Sequence, residues 1–264
     1  MVLFLFLAHL GLGIVFTLAF VSREAGVKFF RFNAGLAAML IAAGFAFRSP
    51  EADATLASRV ALVALALAEA AIVVYWATVG RVLASIRPAL VATAVAAGLA
   101  AIGAQAVALS SGRAITVVAM TVASFLSSAA LLGSTCTAMT LGHWYLVIPS
   151  MQISHLQSIV KLHVASMIVR AAVVVAAAVL AIAIWEPGMG PSFLRYITSI
   201  DGIFFWQRVL FGLFGPAVLS YLTWETAKIR STQSATGILY VDFFTVLVGE
   251  ALAKYILIAT HVPV

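Results

Sequence analysis

Three of the five histidines in this chain lie close together. The stretch Thr140-Leu141-Gly142-His143-Trp144-Tyr145-Leu146-Val147-Ile148-Pro149 holds one of them beside two aromatic residues and a proline, and His155 and His163 follow. Imidazole titrates near neutral pH and ligates metals, so redox or proton chemistry is expected here first. His143 is predicted about one turn inside the end of its helix, and His163 about one and a half turns into the next. Two histidines at matched depth on neighbouring helices suit the axial positions of a b-type haem iron; they suit a quinone headgroup equally well. Trp144 and Tyr145 would frame its entrance from lipid, although aromatic residues at a membrane interface need no ligand. Asp242 is expected at the depth of His163, where a carboxylate orients an imidazole or takes up protons. Its other role there is to favour a helix N-terminus. His155 is expected in a solvated link. Only His9 and His261 remain for a second haem, and their depths match poorly, so one haem, or none with quinone, is as far as the count goes.

A second group is ionisable and falls near the middle of apolar runs: Glu69, Arg170 and Glu250. Charges at that depth are costly and face partners inside a bundle, so one or both carboxylates are expected beside Arg170. Lys254 follows Glu250 by one helical turn and shares its face. Glu69, Arg170, Glu250 and Lys254 together read as a proton or ion pathway, or as an ion-pair network that fixes helix register. Arg208, near the end of its run, is expected to snorkel to the interface. Cys136 is the only cysteine, which excludes an internal disulfide, a CxxC motif or an iron–sulfur ligand set.

These residues need long apolar helices to position them. The chain of 264 residues is 64% hydrophobic and only 9% charged, with a mean hydropathy of +1.15. Soluble domains carry about 25% charged residues, and a membrane crossing takes about 20 helical residues. The reading is an all-α, polytopic integral membrane bundle in one domain, 1–264, with short loops and about eight crossings. The crossings are predicted near 2–21, 29–47, 60–79, 88–109, 114–147, 158–185, 202–224 and 237–260. The first begins at Met1 without a preceding basic residue and is expected to be a retained span. Hydroxyls crowd the fifth, from Thr116 to Thr140, and serve helix packing or line a cavity. Pro216 is expected to kink the seventh.

The net charge of +6 is spread along the chain with no recognition module, so nucleic acid is not an expected partner. One set of links holds Arg23, Lys28, Arg31, Arg81, Arg87, Lys161, Lys228 and Arg230. The alternate set holds Arg48, Arg59, Arg113 and Arg195 with Glu51, Asp53, Glu186 and Asp201. The excess of basic residues places the first set in the cytoplasm. Both termini are then expected outside, in a bacterial inner membrane. No Walker loop, HExxH, GxSxG or dinucleotide fingerprint occurs.

The expected function is a membrane-embedded, non-autonomous subunit of a respiratory-type electron-transfer complex, contacting quinone or one b-type haem through His143 and His163. Its protein partners would carry the other redox centres. The alternatives are a proton, ion or small-solute transporter built on Glu69, Arg170 and Glu250, or a structural membrane subunit without chemistry of its own.

Overall fold

The computed structural model describes residues 1–48, 55–81, 84–148, 151–185 and 192–264. The polar link at 49–53, the Pro149 stop and the link at 187–191 lie outside the described residues. Regular structure among the described residues is helical. The elements are α1 (Val2–Leu18), α2 (Gly26–Ala46), α3 (Leu56–Thr78), α4 (Arg87–Leu109), α5 (Ile115–Val147) and α6 (Ile153–Ala183). A short α7 (Phe193–Thr198) precedes α8 (Ile203–Val209), α9 (Gly215–Lys228) and α10 (Thr232–Thr260). Among the described residues, seven helical stretches are long and apolar enough to cross a membrane, so the chain is an all-α, polytopic integral membrane bundle. At 17 residues, α1 reaches about 26 Å, less than the ~30 Å of a hydrocarbon core.

Several boundaries differ from the sequence reading: α3 starts at Leu56 rather than near 60, α10 at Thr232 rather than near 237, which carries Asp242 further from its end, and two more differences move other candidate residues. Helix α6 starts at Ile153 rather than near 158, which carries His163 further from its end. The predicted seventh span is divided: α8 and α9 are joined through a π-turn at Leu210–Phe214. Pro216 stands at the first turn of α9. Its ring cannot accept the carbonyl four residues back, that of Gly212, in a straight α-helix. The wider π-turn makes the room, and such turns interrupt helices at sites that matter for function.

Helix α5 is the centre of the bundle, in contact with α1, α4, α6 and α10. α2 and α3 lie on its α1–α4 side, and α9 packs on α6 and α10. Two glycine pairs set the closest approaches. A Cβ on Gly13 or Gly133 would overlap the other's backbone where α1 crosses α5. The Thr17 and Thr137 hydroxyls, 2.6 Å apart, bond across the same crossing. Gly212 and Gly249 hold the π-turn against α10 in the same way.

Candidate functional site

Two buried polar centres share α6 and α10. His163 and Arg170 are seven residues apart on α6, about 10 Å along its axis, and Asp242 and Glu250 are eight apart on α10, about 12 Å. The spacing stacks a histidine–aspartate pair above an arginine–glutamate pair, with buried Val246 between the two carboxylates.

At the first centre, His163 Nε2 lies 2.7 Å from Asp242 Oδ2 and 2.8 Å from Ser220 Oγ. His163 Nδ1 lies 3.0 Å from Thr135 Oγ1. Thr135 Oγ1 also lies 2.7 Å from the Leu131 carbonyl, so its one hydroxyl proton serves either that carbonyl or His163 Nδ1. The tautomer of the ring sets which of its contacts it makes as donor. His163, Asp242, Ser220 and Thr135 are all buried, and Asp242 Oδ1 has no partner among the described residues. The arrangement joins an imidazole and a carboxylate through one short contact with no solvent exposure on either side chain. Both ring nitrogens of His163 face protein partners.

At the second centre, Arg170 grips Glu250 with two bonds, Nε to Oε1 at 2.9 Å and Nη2 to Oε2 at 3.1 Å. Arg170 also donates to Ser124 Oγ at 2.9 Å and to the Val264 carbonyl at 3.3 Å. Arg208 Nη2 donates to the same Glu250 Oε1 at 2.8 Å. Arg208 was expected to snorkel, yet it is wholly buried, because the π-turn and the Gly212–Gly249 contact bring α8 inward against Glu250. Lys254 does not join the ion pairs. Its ammonium donates to Ser128 Oγ at 2.9 Å and sits 4.6 Å from the centre of the Phe125 ring. The other side of Phe125 meets His9, ring centres 4.7 Å apart, and His9 Nε2 is 3.1 Å from Gln105 Oε1. The hydroxyls of α5 thus serve as partners for charged groups on α6 and α10 as well as packing.

The other predicted residues fall elsewhere. His143 is exposed on the last turn of α5, with Nδ1 3.0 Å from the Tyr240 hydroxyl. Thr135, the α5 partner of His163, lies about 12 Å further into that helix, so the two histidines are at different depths and share no partner. Trp144 donates to the Ala25 carbonyl at 3.0 Å and meets Phe29 edge to face. The buried Tyr145 hydroxyl donates to the Gln152 carbonyl and accepts from Leu156 N at 3.2 Å. Trp144 thus ties α5 to the start of α2, and Tyr145 secures the α5–α6 corner. His155, placed in a solvated link by the sequence, bonds Glu24 at 2.7 Å. Glu69 sits partly buried on α3, which packs on α2 and α4, and its Oε2 has no partner among the described residues. The partners of Arg170 are Glu250, Ser124 and Val264 instead.

Arg208 and Ser220 were not singled out together, but a signal for them exists in the sequence. Arg208, Gly212, Pro216 and Ser220 recur every four residues, a stripe of small and polar side chains on one helical face. All four are buried. Two cavities border the centres. One, of about 470 Å³, lies between α6 and α9 and reaches Ser220. The other, of about 730 Å³, is lined by Arg113, Tyr196, His261, Val262 and Pro263 among others, just before Val264 at Arg170. No family model, curated protein or solved structure matches the chain.

Proposed function

We propose that this chain is a proton- or ion-handling membrane protein of the transporter class, working through Arg170, Glu250 and Lys254 with Arg208 added to the set. One observation carries the reading: three cationic side chains and a single carboxylate are buried together in the middle of membrane-spanning helices. Ionisable groups inside a membrane bundle line ion and proton paths or take part in relays. Lys254 is the member best suited to gain and lose a proton, because its ammonium has a hydroxyl and a ring as neighbours rather than a carboxylate. The large cavity adjoins the ionic centre through Val262, Pro263 and Val264, which offers one approach from the aqueous side. We take α1 as an eighth crossing, so that the links holding Lys28, Arg31, Arg81 and Lys228 share the cytoplasmic side.

The test is proton flux into phosphatidylcholine proteoliposomes under an imposed pH gradient, read with an internal pH dye. Flux above protein-free vesicles, reduced at least about tenfold by Glu250→Gln and by Lys254→Met in proteins that remain folded, supports the reading. Absence of flux in folded wild-type protein under pH, sodium and potassium gradients overturns it and favours a structural role.

A second reading, membership of an electron-transfer complex, is favoured by the His163–Asp242 pair lying behind the wall of a pocket that opens sideways. Partner subunits would carry the redox centres. Gentle solubilisation should then yield redox-active proteins bound to this chain, and their consistent absence would count against it.

A further inference from the structure

We propose that the pocket between α6 and α9 binds the headgroup of a lipophilic quinone or hydroquinone, which enters from the bilayer and bonds to Ser220. The inference rests on the electron-transfer reading for its choice of ligand, and it does not require the ionic centre to conduct. Sequence reasoning placed such a ligand between His143 and His163; the geometry moves it to the opposite face of His163.

The pocket encloses about 470 Å³, within the range of about 300–1,000 Å³ that small-molecule sites occupy. Its walls are apolar, from Met167 and Ile168 on α6 to Ala217, Tyr221 and Trp224 on α9. Ile168 is 65% exposed and Tyr221 62%. On membrane-spanning helices that exposure faces lipid, so the opening is lateral. Ala165 and Ala217 line the space with the smallest side chain that has a Cβ, and a larger residue at either would close it. Lys161 and Lys228 stand over the Trp224 ring at 5.4 and 5.3 Å, which marks that end as the level of the interface.

The polar end of the pocket decides the ligand. Ser220 is the pocket residue that reaches the first centre, through the 2.8 Å contact with His163 Nε2. Neighbouring hydroxyls such as Thr226 and Ser166 donate back to carbonyls of their own helices. Ser220 makes no such bond among the described residues, and its hydroxyl faces His163 Nε2 instead. Where the ring accepts from Ser220, the Ser220 oxygen can still accept from a hydroquinone hydroxyl; where the ring donates, the Ser220 proton goes to a quinone carbonyl. Either bond brings no charge to Ser220, and the ligand's ring and tail match the walls. A phospholipid acyl chain would match the walls alone and make no hydrogen bond with Ser220. His163 and Asp242 stand behind Ser220 as positioning residues, and they fix the direction in which its hydroxyl points.

The experiment uses purified full-length protein in phosphatidylcholine nanodiscs titrated with a decyl-substituted benzoquinone, read by quenching of Trp224 emission. The quenching should saturate, and Trp224→Phe should remove the saturable part. Ala217→Phe should weaken binding at least about tenfold by filling the pocket. Ser220→Ala should weaken it about fivefold, the equivalent of one neutral hydrogen bond. Anionic phospholipid added to the discs should leave the affinity unchanged. Quenching that never saturates, or that is the same in wild type and Ala217→Phe, overturns the proposal. Displacement by anionic phospholipid overturns it too, and assigns the pocket to a lipid. Should Ala217→Phe fail to fold, Ser220→Ala decides alone, and an unchanged affinity there is a refutation. Loss of binding would leave the electron-transfer reading standing, since co-purifying redox partners test that separately.

Discussion

The ionic centre makes a quantitative prediction about Glu250 and Lys254. Glu250 accepts at 2.9 and 3.1 Å from Arg170 and at 2.8 Å from Arg208, with no solvent exposure on any of the three. Glu250→Gln keeps the shape but removes the negative charge and leaves the two arginines and Lys254 facing one another. Breaking a buried pair from one side costs about 3–5 kcal/mol, so this variant should unfold that much more easily. Lys254 lies one turn along α10, a rise of about 6 Å. At an effective dielectric near 20, unit charges at that separation interact by about 3 kcal/mol.

Lys254→Met should therefore behave differently in the two backgrounds. In the wild type it removes an attraction to Glu250, the hydrogen bond to Ser128 and the charge over the Phe125 ring. In Glu250→Gln it removes one of three uncompensated cations. The substitution should be more favourable by about 3 kcal/mol when Glu250 is already gone. Denaturant unfolding in mixed micelles of the wild type, both single variants and the double variant completes the cycle. Additive effects, agreeing within about 0.5 kcal/mol, would mean that Lys254 does not feel Glu250, and the single-centre description would be refuted. So would a Glu250→Gln protein within about 1 kcal/mol of the wild type.

Gly133→Ile should destabilise the fold by several kcal/mol or prevent its accumulation, because a Cβ there meets the Gly13 backbone. Gly103→Ala, where nothing lies within 4 Å of the added carbon, should melt at or slightly above the wild-type temperature. Glu69→Gln should leave ion flux within about twofold of wild type in the proteoliposome assay, since Glu69 lies on α3, outside the ionic centre; a loss as deep as that of Glu250→Gln would return Glu69 to the pathway.

The class of protein was legible because composition and apolar run length are properties of the chain alone, and a 33-residue α5 or a 29-residue α10 follows from them. The Arg170–Glu250 contact was legible for a related reason: a charge in the middle of an apolar helix must find a partner. The choice of partner was harder. Glu69 and Glu250 have similar depths, and depth cannot tell which helices are neighbours. The pairing of His143 with His163 failed on a boundary. Helix α6 begins five residues before the expected start, which moves His163 inward by about 7.5 Å. Pro149 marks the end of α5, but between Met151 and Ser158 apolar and polar residues alternate and no residue type marks where the next helix starts. Arg208 failed on a conformational detail: a π-turn inserts extra rotation between Leu210 and Phe214, and a straight helical wheel cannot anticipate it.

The composition of the ionic centre bears on whether it is structural. An ion pair that only fixes helix register needs one cation, and Arg170 with its two bonds to Glu250 would suffice. Replacing such a pair by apolar residues is often neutral or stabilising, so further charges add cost without adding register. Arg208 does add something structural, a second hold on Glu250 that brings α8 against α10. Lys254 adds no such link. It forms no ion pair among the described residues, its hydroxyl partner Ser128 would pack as well against an apolar side chain, and its ring contact with Phe125 would survive as a methionine–aromatic contact. A buried ammonium carries a desolvation cost that methionine does not, set against its attraction to Glu250. Of the four charged groups, Lys254 therefore separates a working centre from a structural one, and Lys254→Met is the variant in which stability and flux should part company.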